Sequence, residues 1–303
     1  MNILITGASG FIGRYLVHKL SQQGHDVVGV HYENSLDISG VTSVCVDLRC
    51  ITLVKDLFDG DSFDCVVHLG GYIPKPQETH NVLSRCMNVN AMGTYFILKC
   101  AYESGVKRVV YTSSSSIYSR REHELSLPIN EDSWIQSDSP YALSKYMGEV
   151  FAELFTENMN MNVISLRPSS VYGFGQSPYC VLPIFVDSAI KGENLNVWGK
   201  GMYTQDFVYV EDVVDAIIKT LTSDVVGVYN IGSGVETSIT SLAKMVRRIF
   251  NPDIDIVTKL VKNEDTTRFF LDISRARNVL GYQPKYSLES GLRKYKSEVE
   301  REK

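Results

Sequence analysis

Asn2-Ile3-Leu4-Ile5-Thr6-Gly7-Ala8-Ser9-Gly10-Phe11-Ile12-Gly13 decides how this chain folds. The first five residues are a short apolar run of the kind that forms a buried parallel strand. Glycines at positions 7, 10 and 13 then lead directly into a helix-period segment, Phe11–Gln23. A strand, a glycine turn and a helix in that order are the context of a dinucleotide-binding turn. The glycines allow a tight turn and a close approach of the backbone to a pyrophosphate. The phosphates then meet the helix N-terminus, where unpaired amides and the helix dipole favour negative charge. Gly7, Ser9, Gly10, Phe11, Ile12 and Gly13 are the residues expected to hold them.

The pattern continues outward from this turn. Val27–Val30, Ser43–Val46, Cys65–Leu69, Arg108–Thr112 and Asn162–Leu166 read as further buried strands. Cys86–Ser104 and Tyr141–Glu157 read as helices, with Gly24 and Gly105 as C-terminal stops. Ser139-Pro140 is a helix start, a capping serine followed by proline in the first turn. Strands alternating with helices predict an α/β fold with a doubly wound parallel Rossmann sheet. From Pro168 to Gln205 the chain is rich in Gly, Pro, Tyr and Ser, which suits a loop-rich ligand-binding lobe. Asp206–Leu221 and Val228–Ile231 read as a helix and a strand that return to the sheet. The expected division is a dinucleotide-binding domain over 1–168 with 206–234, and a smaller C-terminal substrate lobe over 169–205 with 235–303. Lys294–Lys303 reads as a frayed, charged tail.

Bulk properties narrow the partners. The 303 residues are 44% hydrophobic and 21% charged, enough for a large core. The net charge of −5 and the lack of any basic stripe argue against nucleic acid, so an anionic ligand must be held by local donors. Cys45, Cys50, Cys65, Cys86, Cys100 and Cys180 form no CxxC pair and no metal-like cluster. They read as free thiols of a reducing cytoplasm, and no metal is expected. Met1–Thr6 is too short and uncharged for a signal peptide, and no apolar run approaches a membrane span.

Tyr141-Ala-Leu-Ser-Lys145 places a phenol and an ammonium on one face of the predicted helix. A phenol ionises near pH ~10. An adjacent cation favours the phenolate and is expected to bring that value toward neutrality, where a general acid/base works best. At the end of the second strand, Gly29-Val30-His31-Tyr32-Glu33 carries His31 where NAD-binding proteins place an acid on the ribose. Without that carboxylate a 2′-phosphate is not repelled, yet no Arg or Lys follows in the loop and only Arg14 is near in sequence. Glu33 can substitute for the acid if the loop shifts, so NAD and NADP both stay open. Asp47 reads either as a bond to the adenine amine or as a turn cap.

Several ordered motifs then resemble the extended short-chain dehydrogenase/reductase family, in its NAD-dependent epimerase/dehydratase type. The glycine turn is similar to that family's TGxxGxxG, Val67-His68-Leu69-Gly70-Gly71 to its HLAA segment, and Asn90-Ala91-Met92-Gly93-Thr94 to its NxxGT. Thr112–Tyr118 resembles SSSxxVY, whose catalytic hydroxyl lies four residues before the tyrosine and so falls on Ser114. Asp206–Val213 resembles RDFxxVxDV, while Tyr229–Gly234 and Asp272–Ala276 resemble the late NxGxG and DxSKA segments. The resemblance implies a catalytic Ser114, Tyr141 and Lys145 acting with NAD(P) on a nucleotide-diphosphate sugar. It adds Leu48, Leu69, Gly70, Gly71, Asn90 and Pro168 to the cofactor residues, which also include His31, Asp47, Tyr141 and Lys145. On the substrate side it implies Ser115, Ser170, Gln205 and Arg268, with Gln205 where an arginine usually meets the diphosphate and Arg268 as the remaining anion donor. Base recognition falls near Leu195–Gly199.

Departures from the family narrow the reaction. Ser115 and Ser116 stand where its 4,6-dehydratases carry Asp-Glu, so elimination is not expected. The expectation is a sugar 4-epimerase, with an NADPH-dependent 4-keto-6-deoxysugar reductase as the alternative and a non-catalytic cofactor-binding module as a third reading. The family also implies a homodimer through Cys86–Ser104 and Tyr141–Glu157, whose outer faces carry Tyr95, Phe96, Tyr146, Met147 and Phe151.

Overall fold

Strands that are apolar on both faces need cover on both faces, and this requirement sets the layers of the molecule. The computed structural model describes residues 1–60, 62–118 and 126–302. Its strands are β1 (Asn2–Thr6), β2 (Asp26–His31), β3 (Thr42–Cys45), β4 (Cys65–His68), β5 (Arg108–Thr112) and β6 (Asn162–Pro168). They are followed by β7 (Ser170–Tyr172), β8 (Leu195–Trp198), β9 (Thr204–Tyr209), β10 (Gly227–Ile231), β11 (Glu236–Ser238) and β12 (Ile256–Lys259). The helices are α1 (Phe11–Gln22), α2 (Ile51–Asp56), α3 (Val82–Cys86), α4 (Gly93–Glu103) and α5 (Pro140–Met159). Then come α6 (Val181–Lys191), α7 (Val210–Thr220), α8 (Ile239–Phe250), α9 (Ser274–Leu280) and α10 (Leu288–Arg301).

The central sheet has seven strands in the order β10-β6-β5-β4-β1-β2-β3, every pair parallel. Helices α1 and α7 pack on one face, and α2, α4 and α5 on the other. The chain runs outward from β1 through β2 and β3, then from β4 through β5 and β6 in the opposite direction. Between β1 and β4 lies the switch point, the place where such sheets bind ligands beyond the carboxyl ends of their strands. The expected Rossmann architecture is therefore the one observed. Ser139 Oγ accepts the Ala142 amide at 3.1 Å with Pro140 in the first turn of α5, and Gly24 and Gly105 take left-handed φ of 77° and 79°.

A third core, built from Leu182, Phe185, Leu242, Val246, Leu292 and Tyr295, holds the C-terminal elements around a three-stranded sheet β11-β9-β7 and a pair β12-β8. Four expectations are corrected here. Residues 168–205 contain β7, α6 and β8, so they are less loop-rich than their Gly, Pro and Ser content suggested. Asp206 lies in β9, and the following helix begins only at Val210. Its carboxylate is fully buried and accepts the amides of Ser233 (2.8 Å), Gly234 (3.1 Å) and Leu271 (3.3 Å), which ties three segments together. The Cys86–Ser104 helix is divided, with one wide π turn over Met87–Met92 between α3 and α4. Lys294–Arg301 is helical: Leu288, Leu292, Tyr295 and Val299 recur at helical spacing among charges and pack on the third core. Lys303 lies outside the described residues.

One buried ion pair joins helix α5 to the central sheet. Glu149 of α5 and Arg167 of β6 are each 4% exposed and joined by two bonds of 2.9 and 2.7 Å. Arg167 also donates to Tyr118 Oη (2.7 Å) and to the Glu131 carbonyl (3.0 Å), and Tyr118 donates to Asn230 Oδ1 at 2.7 Å. Removing one partner leaves a charge buried without its counter-ion. Arg167→Met should therefore destabilise the protein by about 3–5 kcal/mol in urea unfolding, and Arg167→Met combined with Glu149→Leu should recover most of that loss.

Candidate active site

The glycine turn is shaped by contacts that no side chain can enter. A Cβ on Gly13 would lie 2.1 Å from the Gly7 carbonyl oxygen, and one on Gly7, whose φ is 68°, would lie 2.7 Å from the Gly70 amide. Backbone thus packs on backbone at the ends of β1 and β4. The Gly10 amide is used on the Gly7 carbonyl at 3.0 Å, and no side chain caps α1. The first amides of α1 are left for a ligand, so the turn fits a pyrophosphate.

From this turn a cleft of about 360 Å³ runs toward the ends of β2 and β3. Of the residues expected to bind the cofactor, Gly7, Ser9, Gly10, His31, Asp47, Leu48, Gly70 and Gly71 line it. Phe11, Ile12 and Gly13 open α1, Leu69 follows β4, and Pro168 ends β6. Glycine at position 70 has a local reason, because a Cβ there would meet Leu48 Cδ1 at 2.7 Å. The His31 Nδ1 atom is buried without a partner. Asp47 is held by Arg49 through bonds of 2.9 and 2.6 Å and accepts the Arg49 amide at 2.9 Å, so it caps its own turn. That guanidinium keeps the Asp47 carboxyl below its usual range.

The sequence reading missed the cations of this cleft. Arg49, Lys75 and Arg85 all line it, although the loop after β2 has no basic residue. Arg49 reaches the Tyr32 hydroxyl at 3.0 Å, and the Arg85 guanidinium lies 4.1 Å from the centre of the Tyr72 ring. Arg49 follows Asp47 by two positions and was available as a signal; Lys75 and Arg85 arrive only through folding. Arg14 instead faces the opposite side, where a Cβ on Gly175 would meet its Nη2 at 3.3 Å.

Gly71, which lines the cleft, lies beside Asn90 and Lys145. Asn90 sits in the π turn, a local widening often found at functional sites. It accepts the Tyr72 amide at 2.6 Å and donates to Ser144 Oγ at 2.9 Å, linking the segment after β4 to α5. Beneath it His68 bridges Thr6 (2.6 Å) and Thr94 (3.0 Å), and burial pushes its imidazole down to about 3, so it is neutral. Lys145 is 4% exposed, and its Nζ lies 4.5 Å from the centre of the Tyr111 ring.

Burial opposes the expected lowering of the Tyr141 phenol in this arrangement. Loss of solvent around the Tyr141 hydroxyl pushes it up to about 12, while its hydrogen bond with Ser114 pulls the other way. Burial also pushes Lys145 down to about 7, opposed by the Glu149 carboxylate one turn along α5. The ammonium that was expected to lower the phenol faces the Tyr111 ring and is itself depleted of charge.

On the C-terminal side, Ser115 is buried in a single tight turn over Ser115–Ile117. Ser170 donates to Gln205 Oε1 at 3.0 Å, and Gln205 donates to the Tyr203 hydroxyl. Arg268 is not brought to this pair. It binds Glu236 at 2.7 and 2.5 Å, and Glu236 also receives the Thr204 hydroxyl at 2.8 Å. Register explains the separation: Glu236 pairs with Asp206, so it shares a sheet face with Thr204 and Asp206, and Gln205 points to the other. Among the described residues no group of three His, Cys, Asp or Glu is placed to hold a metal, and no helix is long and apolar enough to cross a membrane.

A doubly wound parallel sheet with a glycine-lined cleft at its switch point defines an NAD(P)-binding Rossmann protein. Residues 3–232 match the model of the NAD dependent epimerase/dehydratase family, and the chain belongs to that family. It is 31% identical to the UDP-glucose 4-epimerase of Mycolicibacterium smegmatis, over 97% of both chains. It is 30% identical to a dTDP-4-dehydro-6-deoxy-D-allose reductase of Streptomyces sp, over 96% of this chain and 93% of that one. The crystal structure of UDP-glucose 4-epimerase from Thermotoga maritima with UDP-glucose superposes with a TM-score of 0.90 at 28% identity, covering 100% of this chain and 99% of that one.

The depressed Lys145 has a measurable consequence. In the folded protein it releases its proton near pH 7, whereas in the unfolded chain it holds the proton to about 10.4. Between those values the unfolded state binds more protons, so this group makes stability rise with pH across that window. Lys145→Met removes the rise. Urea unfolding of both ligand-free proteins at pH 7, 8 and 9 should show the difference moving in favour of the wild type as pH increases, and a pH-independent difference would contradict the buried lysine.

Proposed function

We propose that this protein is a nucleotide-diphosphate-sugar 4-epimerase working with NAD(P), with Ser114, Tyr141 and Lys145 as its catalytic residues. The observation that carries the reading is Ser114 set beside the Tyr141 hydroxyl, whose proton affinity it lowers, with Lys145 one turn later on α5 and serines, no carboxylate, on the adjoining turn. When bound, NAD(P) supplies the hydride acceptor and donor. Tyr141, as phenolate, takes the proton of the sugar hydroxyl and returns it when the carbonyl is reduced on its other face. Ser114 donates to the reacting oxygen, and Lys145 balances the phenolate. Ser115 and Ser116 offer no acid or base to eliminate water. Positioned proton transfer of this kind contributes roughly two to four powers of ten in rate.

In this reading 169–205 with 235–303 holds the sugar nucleotide, facing a cofactor domain over 1–168 with 206–234. Ser170 and Gln205 supply polar contacts to the sugar diphosphate, and Arg268 serves as an anion donor by exchanging Glu236 for phosphate oxygens. The unpaired cysteines suit a reducing cytoplasm.

A second reading, an NADPH-dependent keto-sugar reductase, is favoured by one feature: His31, Arg49 and Lys75 line the ribose end of the cleft where a 2′-phosphate would need positive charge. The two reactions separate cleanly. Across nucleotide sugars, product NMR should show C4 inversion without net NADPH consumption; stoichiometric NADPH oxidation by a 4-keto sugar would replace the epimerase with the reductase. Tyr141→Phe should lower turnover by two to four powers of ten while cofactor binding, followed by fluorescence, persists. A non-catalytic module would lose neither.

We also propose a homodimer through α4 and α5. Between them lies a groove of about 460 Å³ lined by Tyr95, Tyr102, Phe151, Leu154, Phe155 and Met159, of which Tyr102, Leu154 and Met159 are exposed. Of the residues expected there, Tyr95 and Phe151 line the groove, Phe96 packs beside Tyr95 on the same face of the sheet, and Tyr146 packs on the core of the other face. Light scattering at micromolar concentration should give twice the 34.0 kDa chain mass, and a monomeric mass would remove the dimer.

A further inference from the structure

The serine run contains one hydroxyl for which neither the fold nor the proposed chemistry has yet given a reason. Ser114 lies at the end of an extended segment, with φ −161° and ψ 145°, and Ser115–Ile117 turns back over it. Ser116 therefore meets Ser114 twice: its amide donates to Ser114 Oγ at 3.1 Å, and its hydroxyl donates to the same oxygen at 2.9 Å. A serine hydroxyl has two acceptor sites and one proton to donate. Both acceptor sites of Ser114 are filled by Ser116. Its proton is left for a group on its remaining side, where Tyr141 lies near enough for Ser114 to pull the phenol down against burial.

The direction becomes obligatory when Tyr141 ionises. A phenolate accepts and cannot donate, so the only arrangement that satisfies all three oxygens is Ser116 to Ser114 to Tyr141. Chains of hydroxyls polarise one another, so the first donor strengthens the second. Alanine at position 116 would leave the amide bond in place and remove only the hydroxyl. Ser114 could then spend part of its time turned away from Tyr141.

We propose that Ser116 is a positioning residue for the reaction, locking Ser114 as a donor, to the Tyr141 oxygen in the free protein and to the sugar oxygen in its place once substrate is bound. The inference rests on Tyr141 being the base. The titratable groups acting on Tyr141 are the Cys86 thiol from α3 and Tyr111 from β5; Lys145, one turn along α5, lies over the Tyr111 ring and is coupled to His68 and Glu149. None of these touches Ser116, so a change at position 116 reaches the tyrosine through Ser114.

Ser116→Ala, Ser116→Thr and Tyr141→Phe separate the possibilities. In Ser116→Ala the acid limb of the kcat/KM profile should move to higher pH by about half to one unit, with activity three- to tenfold lower below the limb and close to wild type above it. Ser116→Thr keeps the hydroxyl and should restore the wild-type limb. An unmoved limb in Ser116→Ala, or an equal fall at every pH, would overturn the positioning role. Retained turnover in Tyr141→Phe would instead overturn the assignment of the base itself, which keeps the two failures distinct.

Discussion

Backbone meets backbone at the ends of β1 and β4, and the rest of the site hangs from that contact. Gly7, Gly13 and Gly70 bring a turn, a helix start and a strand end within distances that exclude a single methyl group. The closeness aims the free amides of α1 at the crevice. It also brings Gly71 beside Asn90 and Lys145. An alanine at position 13 would push α1 away from β1, and with it the anion-binding end of the helix. Leu48 reinforces the same constraint from the turn after β3 by filling the space that a side chain at position 70 would need.

What could be read in the sequence follows from how locally each feature is encoded. The parallel sheet, the glycine turn and the start of α5 depend on residues within a few positions of one another. Each was legible. The C-terminal elements depend on distant partners. Asp206 looks like part of a helix until its carboxylate meets Ser233, Gly234 and Leu271, which bind it as the centre of β9. Helix α10 looks like a charged tail until Leu292 and Tyr295 find a core built by α6 and α8. The separation of Arg268 from Gln205 is a matter of strand register, and a one-residue alternation across β9 and β11 cannot be read from motifs.

Charge followed the same rule. The chain carries a net −5, yet Arg49, Lys75 and Arg85 gather at one cleft. Net charge describes the whole surface, whereas recognition depends on which side chains the fold brings together. Arg49 is largely spent on Asp47, so the cleft holds a paired arginine with one remaining contact to Tyr32. An incoming phosphate would compete with a carboxylate already in place, which tempers the apparent positive charge of the pocket. Arg268 is likewise already paired, with Glu236.

The proton chemistry is governed by burial more than by neighbouring charge. Desolvation disfavours the charged form of any group, so it raises a phenol and lowers an ammonium. Tyr141 and Lys145 obey it together, one at about 12 and the other at about 7. Considered separately, each group prefers to be neutral. Considered as a pair, they are coupled, because a phenolate on Tyr141 raises the proton affinity of Lys145 and a protonated Lys145 lowers that of Tyr141. The ionised pair differs from the neutral one by a single proton passed from Tyr141 to Lys145, and any donor that stabilises the phenolate oxygen favours that transfer. In the proposed chemistry Ser114 is that donor, so the orientation of one serine hydroxyl bears on the charge of a lysine one helical turn along α5.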